Sequence, residues 1–142
     1  MTTPKVVKEL LERSNRLGSE PRFTNYAGGN TSAKGAVPNP ATGEETTLLW
    51  VKGSGGDLGT LKESGLAALD LEKFKALKNV YRGIEFEDEM VALFDYCRFG
   101  SSGAAPSIDT TMHGLVPFDH VDHLHPDSII ALATAADGPA LT

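Results

Sequence analysis

Apolar and polar positions recur along this chain with two different periods. Over residues 4–17, Val6, Val7, Leu10, Leu11 and Leu17 fall on one face of a helix, and Gly18 is placed to close it as the C′ residue. Residues 22–36, rich in Gly, Asn, Thr and Ser, have little helical character. Asn39-Pro40-Ala41-Thr42-Gly43 reads as a turn between two extended segments, the second being the strand-like run 46–51. That run passes directly into a glycine loop at 52–59. Asp70 is a candidate N-cap for a helix reaching Tyr81 and closed by Gly83, and a second helix is expected over 86–98. A flexible joint at 100–103 precedes a helix beginning at Pro106-Ser107, with Asp109 in its first turn and Pro117 at its end. Residues 120–125 alternate as a strand, and 127–137 form an Ala/Ile/Leu helix stopped by Gly138.

Size and charge narrow the class. A chain of 142 residues suits one domain with a real core. Hydrophobic content of 40% and charged content of 23% describe a globular protein. A net charge of −6, with no basic stripe, argues against nucleic-acid binding. No apolar run approaches the roughly 18 residues of a membrane span, and the N-terminus is amphipathic and charged, unlike a signal peptide. Cys97 stands alone, so no internal disulfide is possible and a reducing, cytoplasmic compartment is expected.

The candidate chemistry sits late in the chain. All four histidines, His113, His120, His123 and His125, lie in the stretch HGLVPFDHVDHLH. On a strand His123 and His125 would project together, as two ligands of a metal ion. Asp122, next to His123, is a candidate hydrogen-bond partner for that metal-binding ring. His120 is an odd number of positions away and faces the other side. Surface histidines can also cluster without binding metal. Asp109 and His113 are four positions apart, on one helical face, although an acid there also suits the helix dipole. The loop Gly53-x-Gly55-x-x-x-Gly59 misses the dinucleotide-binding spacing. Together with Ala27-Gly28-Gly29-Asn30-Thr31-Ser32, it fits better as a backbone nest for one phosphate. Both loops also read as ordinary turns.

The ordered series Gly28-Gly29-Asn30-Thr31-Ser32, Lys52-Gly53-Ser54-Gly55, Ser107-Ile108-Asp109-Thr110-Thr111-Met112-His113 and His123-Leu124-His125-Pro126 resembles the class II aldolase/adducin head family. The string looks most like the aldolase part of bifunctional rhamnulose-1-phosphate aldolase/short-chain dehydrogenase proteins. The resemblance implies an α/β fold, a three-layer α/β/α arrangement around a central, mainly antiparallel sheet. It implies phosphate-binding roles for Gly29, Asn30, Ser54, Gly55 and Ser107, zinc ligation by His123 and His125, and an acid/base role for Asp109. The implied reaction is retro-aldol cleavage of a sugar phosphate, with Zn2+ as Lewis acid. Rhamnulose 1-phosphate would give dihydroxyacetone phosphate and lactaldehyde. The family also includes sugar-phosphate 4-epimerases and non-catalytic adducin-like interaction modules, and its members commonly form homo-oligomers.

Two departures from the family pattern stand out. Asp109 occupies the place of a glutamate and is one methylene shorter. The family's third zinc histidine, on a later strand, has no counterpart in these 142 residues. Residues 1–142 are therefore expected to form the N-terminal part of a longer domain.

Overall fold

A computed structural model describes residues 3–100 and 103–141. Ser101 and Ser102, within the joint expected at 100–103, lie outside the described residues. The first element, α1 (Lys5–Gly18), forms where the helical periodicity places it and buries Val7, Leu10 and Ser14 at i, i+3 and i+7. Gly18 is its last helical residue rather than a left-handed C′ residue, and Ser19 is the cap. A Cβ on Gly18 would stand 2.1 Å from the backbone nitrogen of Gly59. Close packing of the end of α1 against the 3-10 turn Leu58–Thr60 is therefore what requires glycine there.

Strands β1 (Asn30–Pro38), β2 (Glu45–Lys52), β3 (Leu66–Asp70) and β4 (His120–His123) form one antiparallel sheet in the order β3-β2-β1-β4. The β1–β2 turn is the expected one: Asn39 Oδ1 accepts from Ala41 N at 2.9 Å, and Gly43 takes φ 76°. In β2 every residue from Leu48 to Lys52 is buried, because this inner strand is covered on both faces.

Helices cover both faces, so the core is double. Leu49, Val51, Ala67 and Leu69 pack against Leu71 and Phe74 of α2 (Leu71–Ala76), Met90 of α3 (Glu87–Leu93), Phe94 and Cys97. Ala33, Leu48, Trp50 and Leu66 pack against Val7 and Leu10 of α1, with Leu58 and Leu61. This is the expected three-layer α/β/α arrangement with an antiparallel centre. Each fully buried leucine in it contributes about 1.5–3 kcal/mol.

Several boundaries differ from the sequence expectation. Asp70 does cap α2, accepting from Glu72 N and Lys73 N at 3.1 Å each. The α-helix ends at Ala76, and Leu77–Asn79 tighten into a 3-10 turn. α3 likewise gives way to a 3-10 turn at Phe94–Cys97. The helix expected from Pro106 begins later, as α4 (Thr110–Leu115), with Asp109 at its N-cap rather than inside its first turn. The last predicted helix divides: α5 (Asp127–Thr134) ends early, and Gly138 opens α6 (Gly138–Leu141) instead of stopping α5. No residue of α5 is buried, and Ile129 is 59% exposed. Among the described residues no helix is long and apolar enough to cross a membrane.

Candidate functional site

The register of β1 with edge strand β4 sets the geometry. Asn30 lies opposite His123 and Ser32 opposite Val121, so these side chains share the sheet face that carries α4. Asp122 and His120 alternate to the other face, which carries α1.

His123 is the last residue of β4 and His125 lies beyond the strand, yet their rings converge. The two Nε2 atoms are 3.2 Å apart, with ring centroids at 4.7 Å and planes at 72°. Two imidazole nitrogens on a tetrahedral zinc, each at roughly 2.0–2.1 Å, are separated by about 3.3 Å. The pair therefore fits a zinc ion as a two-ligand half-site. Nδ1 of His123 is buried without a hydrogen bond, and the Asp109 carboxylate stands 3.9 Å from it. Among the described residues no third His, Cys, Asp or Glu completes a metal-binding group.

Glycines let the neighbouring loop reach this pair. A Cβ on Gly28 would come within 2.9 Å of His125 Nδ1, and one on Gly29 within 2.9 Å of His123 O. Gly29 also has φ 75°, a backbone conformation that side chains disfavour. The loop delivers buried Asn30, whose Nδ2 donates to Asp109 Oδ2 at 2.7 Å and to Ser107 Oγ at 3.2 Å. Asp109 thus uses its carboxylate across the site rather than to cap α4. The glycine loop after β2 is tied to the same region, since Ser54 N donates to Ala105 O at 2.9 Å. Ser54, Gly55 and Gly56 are exposed, and Gly55 and Gly56 both take φ 74°.

Two histidines have other tasks. His113, fully buried on α4, sits 2.7 Å from Ser32 Oγ, and its Nε2 has no partner. Burial pushes its pKa down to about 4; the nearby Asp109 opposes this shift and His123 adds to it. On the other face Arg13 gathers three groups. It donates to Asp122 Oδ1 at 3.0 Å, His120 Nδ1 at 3.1 Å and Ser32 O at 2.7 Å. Asp122 is therefore not a partner of His123. The alternation of β4 points it away, to a guanidinium from α1.

The sequence-predicted residues Asn30, Ser107, Asp109, His123 and His125 are brought together, with Gly29 beneath them. Ser54 and Gly55 lie on the adjoining loop. Two residues with no assigned role border this site, Arg13 from the opposite face of the sheet and Lys52 from the end of β2. Arg13 is hidden among the ordinary charges of an amphipathic helix. Lys52, at the end of β2, is only 4% exposed. Burial holds its pKa below the usual lysine value, while the carboxylates of Asp109 and Asp57 pull it upward. A lysine closing an apolar strand just before a glycine loop is the one signal that marked it.

Residues 8–142 match the family described as the Class II Aldolase and Adducin N-terminal domain. The chain is 41% identical over 135 residues to the "Uncharacterized oxidoreductase YuxG" of Bacillus subtilis (strain 168), covering 95% of this chain and 19% of that protein. It thus spans about a fifth of that relative's length. It is also similar to the solved N-terminal class II aldolase domain of a conserved protein from Thermoplasma acidophilum. That likeness has a TM-score of 0.81 at 26% identity and covers 96% of this chain and 62% of the other.

Proposed function

The chain belongs to the class II aldolase and adducin N-terminal domain family, and on that premise we propose that it is the N-terminal part of a metal-dependent aldolase domain. Its substrate is a deoxyketose 1-phosphate of the rhamnulose 1-phosphate kind, and its products are dihydroxyacetone phosphate and lactaldehyde. The convergence of His123 and His125 Nε2 at 3.2 Å carries this reading. A non-catalytic module has no need of such a pair.

His123 and His125 would hold a zinc ion, the third protein ligand coming from outside residues 1–142. Bound there, zinc supplies Lewis-acid polarisation of the ketose carbonyl and its adjacent hydroxyl. Asn30, Ser54, Gly55 and Ser107, over the Gly29 turn, hold the phosphate and orient the bond to be broken. Asp109 removes the proton from the hydroxyl on the far side of that bond. The oxygen's electron pair becomes the aldehyde C=O, and the carbon–carbon pair passes to the dihydroxyacetone carbon, which is then protonated. Asn30 holds Asp109 by one oxygen and leaves the other free for this exchange.

The open edge of β4 and the unpacked α5 support a domain completed by further strands or by a second copy of the chain. We place the protein in the cytoplasm, as a homo-oligomer. The test is release of dihydroxyacetone phosphate from rhamnulose 1-phosphate, assayed in the protein as it occurs in the cell. Zinc-dependent release that His123→Ala abolishes is the expected result. Tight zinc binding through His123 and His125 without any release would sink the aldolase reading.

A further inference from the structure

We propose that Asp57 is a positioning residue whose carboxylate holds Ala27 in a left-handed backbone conformation. It thereby fixes the turn that packs against His125 and His123, a role that rests on reading those histidines as a zinc pair. Among the described residues Ala27 is the only one other than glycine with positive φ, at 60°. It is the third residue of a four-residue turn, closed by Gly28 N donating to Asn25 O at 3.0 Å. Tyr26 before it keeps a negative φ, so the turn has the type II pattern, whose third position ordinarily belongs to glycine or asparagine. An alanine Cβ crowds the backbone there, so a contact from outside the turn must hold it.

Asp57 supplies that contact, its Oδ1 accepting from Ala27 N at 3.1 Å. It stands at the N-cap of the 3-10 turn Leu58–Thr60, yet its side chain caps none of that turn's amides and reaches across to Ala27 instead. The anchor behind it is firm. Leu58 is fully buried in one cluster with Val7 and Leu10 of α1, and a Cβ on Gly59 would stand 2.9 Å from Gly18 O. On its other side the held turn touches the metal pair. Thr24 Oγ1 accepts from His125 N at 3.3 Å. Gly28 lies so close to His125 Nδ1, and Gly29 to His123 O, that a Cβ on either would come within 2.9 Å. Relaxation of Ala27 to negative φ would redirect the chain through Gly28 and Gly29, and the surface on which both histidines rest would move with it.

The test uses zinc alone as the probe, in the protein as it occurs in the cell. Isothermal titration should show Asp57→Ala binding zinc about tenfold more weakly than wild type. Asp57→Asn, which loses the charge but keeps an oxygen acceptor, should bind nearly as wild type does. Ala27→Gly added to Asp57→Ala should restore affinity, because glycine takes positive φ without help. A merely structural loss would not be repaired by removing one methyl group. Hydrogen–deuterium exchange of the zinc-free protein gives a second readout. Residues 24–30 should exchange about tenfold faster in Asp57→Ala and at the wild-type rate in Asp57→Asn. Wild-type zinc affinity in Asp57→Ala, unaltered exchange, or failure of Ala27→Gly to restore binding overturns the proposal. Should Asp57→Ala fold poorly, recovery of folding in the double variant replaces affinity as the readout, and no recovery overturns the proposal. The zinc reading is tested separately. Asp57-dependent exchange in a wild type that binds no zinc removes that reading and leaves the hold on Ala27 standing. Zinc binding indifferent to Asp57 does the reverse.

Discussion

Arg13 and Asp122, 109 positions apart in the chain, meet in a salt bridge with Nε 3.0 Å from Oδ1. The same guanidinium reaches His120 and the carbonyl of Ser32, so one side chain of α1 fastens β4 to β1 from beneath. β4 has only four residues and a single neighbouring strand. A clamp of this kind therefore decides how firmly His123 is held.

Arg13→Ala should cost about 1–3 kcal/mol, since it removes three contacts and leaves a half-exposed carboxylate unpaired. Lys at this position keeps the charge but not the fork, and should recover only part of the loss. Urea denaturation of the three proteins measures this, and zinc affinity should fall in the same order. Equal midpoints for Arg13→Ala and wild type would show that β4 does not depend on the clamp.

Gly29→Ala and Gly43→Ala separate strain from collision. Both glycines have φ near 75°, but a Cβ at Gly43 meets nothing within 4 Å, whereas at Gly29 it stands 2.9 Å from His123 O and 3.0 Å from Thr24 Oγ1. Gly43→Ala should cost about 1–2 kcal/mol through backbone strain alone. Gly29→Ala should cost more and also weaken zinc binding, because the β4 end must move. Thermal melts with zinc titration distinguish the two.

Stability should depend on pH through His113. Its folded pKa of about 4 lies below the ordinary histidine value of 6.5, so between these values the unfolded chain binds a proton that the folded chain does not. The stabilisation is fully present above pH 6.5 and is lost progressively as pH falls toward 4. For a fully buried group with this shift it amounts to about 3 kcal/mol. His113→Gln should flatten that part of the profile in denaturation midpoints taken from pH 7.5 to 4. An unchanged slope would mean that His113 is not the group responsible.

Asp109 offers a choice of roles that kinetics can resolve. As the acid/base, Asp109→Asn should lower kcat by about 100-fold or more while leaving zinc affinity intact. The 3.9 Å approach of its carboxylate to His123 Nδ1 suggests a second outcome. If it mainly orients that imidazole, zinc affinity should drop about 10–100-fold along with activity. Asp109→Glu, with the longer reach, should retain more activity than Asp109→Asn in either case.

Much of this site could be read before folding. The helical period of Val7, Leu10 and Leu17, the Asn39–Gly43 turn, the run 46–51 and the i, i+2 histidines are local patterns, and local patterns need only the neighbouring residues to take effect. The glycines near Asn30 and Ser54 belong with them, since backbone freedom is a property of the residue itself. What the sequence concealed depends on partners far along the chain. β3, LAALD, is too short to show a period of its own and is defined by its pairing with β2. His125 leaves the strand yet turns back onto His123. Asp122 answers to Arg13 rather than to its neighbour, because strand alternation sends it to the opposite face. Lys52 is an ordinary strand-end lysine until the folded sheet buries it. The sequence by itself determined which elements form and which residue types are available for chemistry. Only the tertiary structure decided which charges meet, because desolvation and hydrogen bonding act between groups brought together across the sheet.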